Sequence, residues 1–247
     1  MRILIANPNM SAEMTALMVE EARTTCRTGT EIIGGNATFG VSYIATRAEA
    51  ALAAHALLDL VADAAGDVDA VVVGAFCPGL AEPVKELLPV PVVGLPEAGF
   101  SAARLFGRRI GLIGIGSRAR GMNEEILHDL GARSDVVSIQ RLPLSGTDLA
   151  ADPEGADAAV IAAGMQAVET EDADVLILGG AAFSGIAARV APHLPVPVVP
   201  PVPYAISMLE TALTCGWRTP ATGTFGPVRS DAARGVGAAL TARLRGG

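Results

Sequence analysis

The sequence predicts an α/β protein of two like lobes, related by a pseudo-twofold axis, each a parallel sheet flanked by helices. Three observations predict it. Apolar runs of about three to eight residues alternate with longer helical patterns. The runs are continuous and β-branched, as in strands covered on both faces. The pattern also repeats. "LPVPVV" at 88–93 returns at 194–199, "DAVVVGAF" from Asp69 returns as "DVLILGGA" from Asp174, and "RILIANPN" at 2–9 is echoed by "RIGLIGIGS" at 109–117, with offsets of 105 to 107 residues.

Taken in order, "RILIA" at 2–6 is the first strand. A helix over about 11–26 follows, with Met14, Leu17, Met18 and Glu21 at 3/4 spacing. Asn9 or Ser11 can cap its start. "EII" at 31–33 is a strand, 47–65 a helix, and "AVVVGAF" at 70–76 and "VPVVGL" at 90–95 are strands. The helix at 97–106 closes the first half. The second half reads as strand 109–115, helix 118–131, strand 135–140, helix 156–170, strands 174–179 and 196–200, and helix 202–214. Right-handed crossovers join parallel neighbours. Lobe one is thus 1–105 and lobe two 106–215. The C-terminal segment, 216–247, packs a last helix back on the lobes.

Two such lobes place a cleft between the carboxyl ends of their strands, where open α/β sheets bind ligands. The expected lining is 7–11, 74–79, 114–117 and 179–185. Small side chains there expose backbone N–H groups beside helix N-termini, which suits a small anion.

Composition narrows the partners. The net charge is −8 and the sequence pI about 4.9, with no basic run. That argues against nucleic acid and anionic membrane and leaves a small molecule as the expected partner. Hydrophobic residues make up 51% of the chain, enough for a core without metal or disulfide, and predict a homo-oligomer. No apolar stretch reaches the ~18 residues of a membrane span. Cys26, Cys77 and Cys215 are too few and too odd in number for a disulfide framework. With a strand already opening at residue 2, no signal peptide is expected and the cytoplasm is the expected location.

His55, His128 and His193 are isolated, so no metal site is inferred. "GIGSRA" at 114–119 satisfies a relaxed dinucleotide turn through Gly114, Gly116 and Ala119. The next strand lacks an acid at its far end for a ribose, although Arg141 would suit a 2′-phosphate. No cofactor is expected.

Four motifs then carry a resemblance: "NPN" at 7–9, "DAVVVGAF-PGL" around 69–80, "PVVGLPEA" at 91–98 and "LGGAAFSGIA" at 178–187. The chain resembles the aspartate/glutamate/hydantoin racemase superfamily, most closely its hydantoin racemase branch. The resemblance implies a cofactor-independent isomerase that moves a proton at a carbon next to a carbonyl. Two cysteines, one per lobe, flank that carbon in the family. Here the matching positions hold Ala75 and Gly180, which the internal repeat also pairs. Cys77 stands two residues beyond the first. It is the expected catalytic residue, with two other readings open: a pocket-lining group or a buried apolar thiol. A lyase or decarboxylase of the same superfamily, or a non-catalytic small-acid binder, are the alternative functions.

The expected substrate contacts are Asn9, Ser11, Tyr43, Ala75, Phe76, Ser117, Gly180, Ala181 and Ser184. Asn9 and Ser117 would orient the substrate, and backbone of 75–77 and 180–181 would hold developing charge. Asn9, Ser117 and Ser184 also make sense as helix caps. Glu97 begins the helix after "GLP", where it suits the positive helix end, or serves as a base near the cleft. Phe183 and Phe76 either flank a flat ring or belong to the core. Arg47 is a further expected contact from a loop over the cleft.

Overall fold

A computed structural model describes residues 1–64, 66–116, 120–230 and 233–246. Two four-stranded sheets organise these residues. The first contains β1 (Arg2–Asn7), β2 (Glu31–Asn36), β3 (Ala70–Val73) and β4 (Val92–Gly94), in the order β2-β1-β3-β4. The second contains β5 (Ile110–Ile115), β6 (Val136–Leu142), β7 (Val175–Leu178) and β8 (Val198–Val199), in the order β6-β5-β7-β8. Every pairing is parallel. The two sheets share one strand order, so the sequence repeat is a repeat of structure.

The recurring motifs have physical reasons. Each leading acid clamps the start of the neighbouring strand. Asp69 Oδ2 accepts the Arg2 N–H at 2.7 Å, and Asp174 Oδ2 accepts those of Arg108 and Arg109 at 3.1 and 3.0 Å. The repeated prolines sit where no N–H is needed, at the entry to an edge strand. Their carbonyls still serve the ladder: Pro91 accepts from Val71 at 3.0 Å and Pro197 from Leu176 at 2.9 Å.

Ten helices occur among the described residues: α1 (Ala12–Arg23), α2 (Arg47–Ala64), α3 (Ala81–Leu87), α4 (Leu95–Ala103), α5 (Arg120–Asp129), α6 (Gly146–Ala151), α7 (Pro153–Glu171), α8 (Ile186–Val190), α9 (Pro201–Thr214) and α10 (Ala238–Leu244). Alternate residues of β1 face opposite layers. Leu4 and Ala6 pack with Leu57 and Val61 of α2, and Leu240 of α10 joins that layer. Ile3 and Ile5 face Met18 and Val19 of α1. In the second sheet, Ile113 and Ile115 face Val160 and Ala163 of α7, whereas Ile110 and Leu112 face Ile126 and Leu127 of α5. No described helix is long and apolar enough to cross a membrane.

Two helices cross between the sheets. Val202, Ala205, Ile206 and Leu209 of α9 complete the layer over the first sheet beside α1. Reciprocally, Phe100, Ala102 and Ala103 of α4 lie against Ile110, Leu112 and Ile177 of the second sheet. Gly99 permits this approach, since a Cβ there would lie 3.3 Å from Ile177 and 3.4 Å from Pro201. A polar anchor reinforces the exchange. Glu210 of α9 is only 2% exposed. Its Oε1 accepts from the Arg27 N–H at 2.8 Å and from the Thr30 hydroxyl at 2.6 Å, and its Oε2 lies 3.7 Å from the Arg27 guanidinium.

Glu210→Ala would leave two donors without this acceptor. The expected loss of stability is about 1–3 kcal/mol, read as a lower urea midpoint at unchanged slope.

Candidate active site

The site is built at the carboxyl ends of β1, β3, β5 and β7. "NPN" makes the first wall. Asn7, fully buried at the end of β1, donates through Nδ2 to Asn9 Oδ1, Thr15 Oγ1 and the Ser11 carbonyl at 3.0, 3.0 and 3.2 Å. Asn9 Oδ1 also accepts the Ser11 N–H at 2.8 Å. Its acceptor is thus occupied, while among the described residues Nδ2 reaches only the Met14 sulfur, at 3.8 Å. The Asn9 amide therefore has hydrogens to offer a ligand. Ser11 instead caps α1, its Oγ accepting the Met14 N–H at 3.2 Å.

The central strands end in the same way in both lobes. The Ala75 N–H turns back to the Val73 carbonyl at 2.9 Å, and the Gly180 N–H to the Leu178 carbonyl at 3.1 Å. These tight three-residue turns lift the chain out of each sheet, so β3 and β7 stop earlier than the expected 76 and 179. The next N–H groups, of Phe76, Cys77, Ala181 and Ala182, meet no acceptor among the described residues. The available backbone donors are therefore 76–77 and 181–182, rather than 75 and 180, whose N–H groups the turns consume. The loops also touch: a Cβ on Gly179 would lie 3.2 Å from the Phe76 ring and 2.8 Å from Leu112. Phe76 in turn leans on Phe100, with centroids 6.3 Å apart.

These segments enclose a cavity of about 60 Å³ lined by Asn9, Tyr43, Ala75, Phe76, Cys77, Gly180 and Ala181 among others. That volume suits a few waters, at ~10–15 Å³ each, so a ring-sized guest needs the wall to give. Seven of the ten expected site residues thus share one cavity. Sequence reasoning missed Met14, Ile44, Met122 and Asn123 on the same wall, and had considered Arg141 only as a phosphate contact.

Two other expected contacts lie elsewhere. Ser11 and Ser184 are not among the lining residues. The Ser184 hydroxyl is buried beside Glu21 of α1, whose carboxylate accepts the Gly185 N–H at 3.0 Å. Burial raises Glu21 above the usual carboxylate range, opposed by that hydrogen bond. Ser117 lies outside the described residues. Glu97 serves α4, accepting the Gly94 N–H at 2.8 Å and pairing with Lys85. Phe183 is core, 2% exposed. Arg47 is not on the cavity wall either: its Nε donates to Glu125 Oε1 at 2.7 Å, bracing α2 against α5.

The titratable groups on the described wall are Cys77, Tyr43 and Arg141. Cys77 is 7% exposed among Ala75, Leu80 and Met122. Burial, helped by the charge of Glu125, pushes its thiol up to about 12. At neutral pH it holds its proton. Burial likewise raises the Tyr43 hydroxyl, with Arg141 opposing and Glu49 adding to the effect. Among the described residues no group of three or more His, Cys, Asp or Glu is placed to hold a metal ion.

Comparison with known proteins follows the same architecture. The Asp/Glu/Hydantoin racemase family pattern matches residues 3–209. The chain belongs to this family. Hydantoin racemase from Paenarthrobacter aurescens is 32% identical over 222 residues, covering 89% of this chain and 94% of that protein. The solved allantoin racemase from Pseudomonas fluorescens is 29% identical, with a TM-score of 0.91, covering 95% of this chain and all of the other. Arylmalonate decarboxylase shares the fold at 17% identity and a TM-score of 0.62 over 85% of this chain and 91% of its own. This family member is accordingly an enzyme of the racemase/isomerase type.

A protonated, buried Cys77 should resist alkylation. Iodoacetamide at pH 8 is expected to label exposed Cys215 well before Cys77, as read by peptide mass spectrometry.

Proposed function

We propose that this enzyme moves a proton at the carbon beside a carbonyl of a small molecule, of the hydantoin or amino-acid type, without a cofactor. One observation carries this reading. Two equivalent loops, one from each sheet, end in the same turn and bring residues whose backbone N–H groups have no acceptor among the described residues to a single cavity beside Cys77. Those donors suit the oxyanion that forms when the α-proton leaves, because preorganised N–H groups in a dry site stabilise developing negative charge. Asn9 offers its amide hydrogens to the substrate carbonyl. Cys77, protonated at rest, delivers a proton to the carbanion. Exchange at both faces needs a second carrier: Tyr43, in its minor deprotonated form, takes the α-proton as Cys77 gives one up, and both groups return to their resting state by exchange with water.

Ala75 and Gly180 occupy the positions where the family resemblance places thiols. Among the described residues a Cβ on Gly180 would meet Phe183 alone, at 3.6 Å, in ordinary contact. Their absence favours a second reading, a lyase that protonates one face after losing carbon dioxide, since a single thiol suffices for that. Carbon dioxide release from a substituted malonate without α-exchange of a hydantoin would select the lyase.

Two outcomes test the isomerase. In heavy water, the protein should wash deuterium into the 5-position of a 5-substituted hydantoin. Cys77→Ala should slow this by roughly 10²–10⁴-fold, the range for a lost proton carrier. Unchanged turnover would remove Cys77 from the mechanism. Ala75→Cys combined with Gly180→Cys should raise the racemisation rate, measured by optical rotation; no gain would argue against these positions flanking the reacting carbon.

A further inference from the structure

Arg141 has no place in the mechanism above, yet its surroundings are those of a binding group. It lies near the end of β6, in register with Gly114 of β5. Its guanidinium reaches across that strand end. Nε and Nη2 donate to the Gly116 carbonyl, and Nη2 also to that of Ile115. These bonds orient the planar group and leave Nη1 with no acceptor among the described residues.

A second donor meets it. A Cβ on Gly114 would lie 3.4 Å from Arg141 Nη1 and 3.8 Å from Asn123 Nδ2, so both nitrogens converge on one side of β5. Asn123 is 6% exposed, lines the same cavity, and its side chain bonds to no described residue. No described carboxylate lies within ion-pair distance of Arg141; its charged-state neighbour is the Tyr43 hydroxyl. Burial lowers the guanidinium from its ordinary value, but an arginine remains charged.

A partly buried cation without a counter-ion is costly in the empty protein and is relieved by an anionic guest. A neutral ring needs no such group. The remaining guanidinium nitrogen, Nη1, beside the Asn123 amide offers two convergent donors that match a planar two-oxygen anion, and the neighbouring walls, Phe76, Met14 and Met122, are apolar.

We infer that Arg141 and Asn123 form a carboxylate subsite, and that the substrate carries a carboxylate in addition to the carbonyl that acidifies its reacting carbon. The inference rests on the proton-transfer reading for the second function of that substrate, but binding tests it separately.

The test compares hydantoin-5-acetic acid with hydantoin-5-acetamide, which differ in charge and little in shape. Affinity is measured by calorimetry and exchange of the 5-proton by NMR in heavy water. The wild-type protein should bind the acid roughly tenfold to a hundredfold more tightly, the range for a hydrogen bond to a charged group. Arg141→Gln should erase that preference while leaving amide affinity in place, Arg141→Lys should restore part of it, and Asn123→Ala should narrow it. Equal binding of acid and amide by the wild-type protein, which needs no variant to fold, would overturn the subsite. So would an Arg141→Gln variant that weakens both ligands by one factor. Exchange separates the two ideas. A charge preference without deuterium uptake keeps the subsite and removes the proton-transfer reading. Equal uptake in both ligands does the reverse. Failure of both ligands to bind and exchange would remove both.

Discussion

The crossing of α4 and α9 is the constraint on which the rest of the structure depends. Each sheet can bury its inner face only by borrowing a helix that the chain assigns to the other half. Phe100 of α4 fills the layer over Ile110 and Leu112, while Ile206 and Leu209 of α9 fill the layer over Ile3 and Ile5. Interiors packed to crystal-like density do not slide freely, so this interlock fixes the distance and angle between the strand ends. The cavity is the space left where those ends meet.

Within that frame, the proposed chemistry draws on backbone more than on side chains. Residues 75 and 180 carry a methyl and a hydrogen, and their N–H groups are consumed by their own turns. What remains is a set of N–H groups from both halves without acceptors among the described residues, an amide from Asn9, and a buried thiol that keeps its proton. In the proposed mechanism such a wall stabilises negative charge and supplies protons readily, whereas taking a proton relies on a minor deprotonated form of a wall residue.

The sheet was legible because buried parallel strands leave continuous Val, Ile and Leu runs, and because the duplication wrote the same clamps twice, at Asp69 and Asp174 and at Pro91 and Pro197. The short helices α3, α6 and α8 were not, since seven, six and five residues are too few to show an apolar face with helical period. Half of the candidate site followed from the strand ends alone. Ser184 failed because a 3₁₀ turn at Ala181–Phe183 carries the chain away from the cavity before residue 184, and residue spacing does not encode that turn. Asn123 and Arg141 converge from different elements, which no local pattern records. Their signals were a charged residue at the end of the apolar "DVVSIQRL" run and an amide three and four residues before the buried Ile126 and Leu127 of α5.

The borrowed helices also bear on how such a molecule can be divided. A fragment ending at Phe106 would keep β1 to β4 but lack the α9 residues that cover Ile3, Ile5 and Val72, and it would carry Phe100 without the second-sheet residues that cover it. Its complement would have the opposite defect. The two halves look like duplicated units on paper, yet as physical objects each is an unfinished surface whose missing piece lies in its twin.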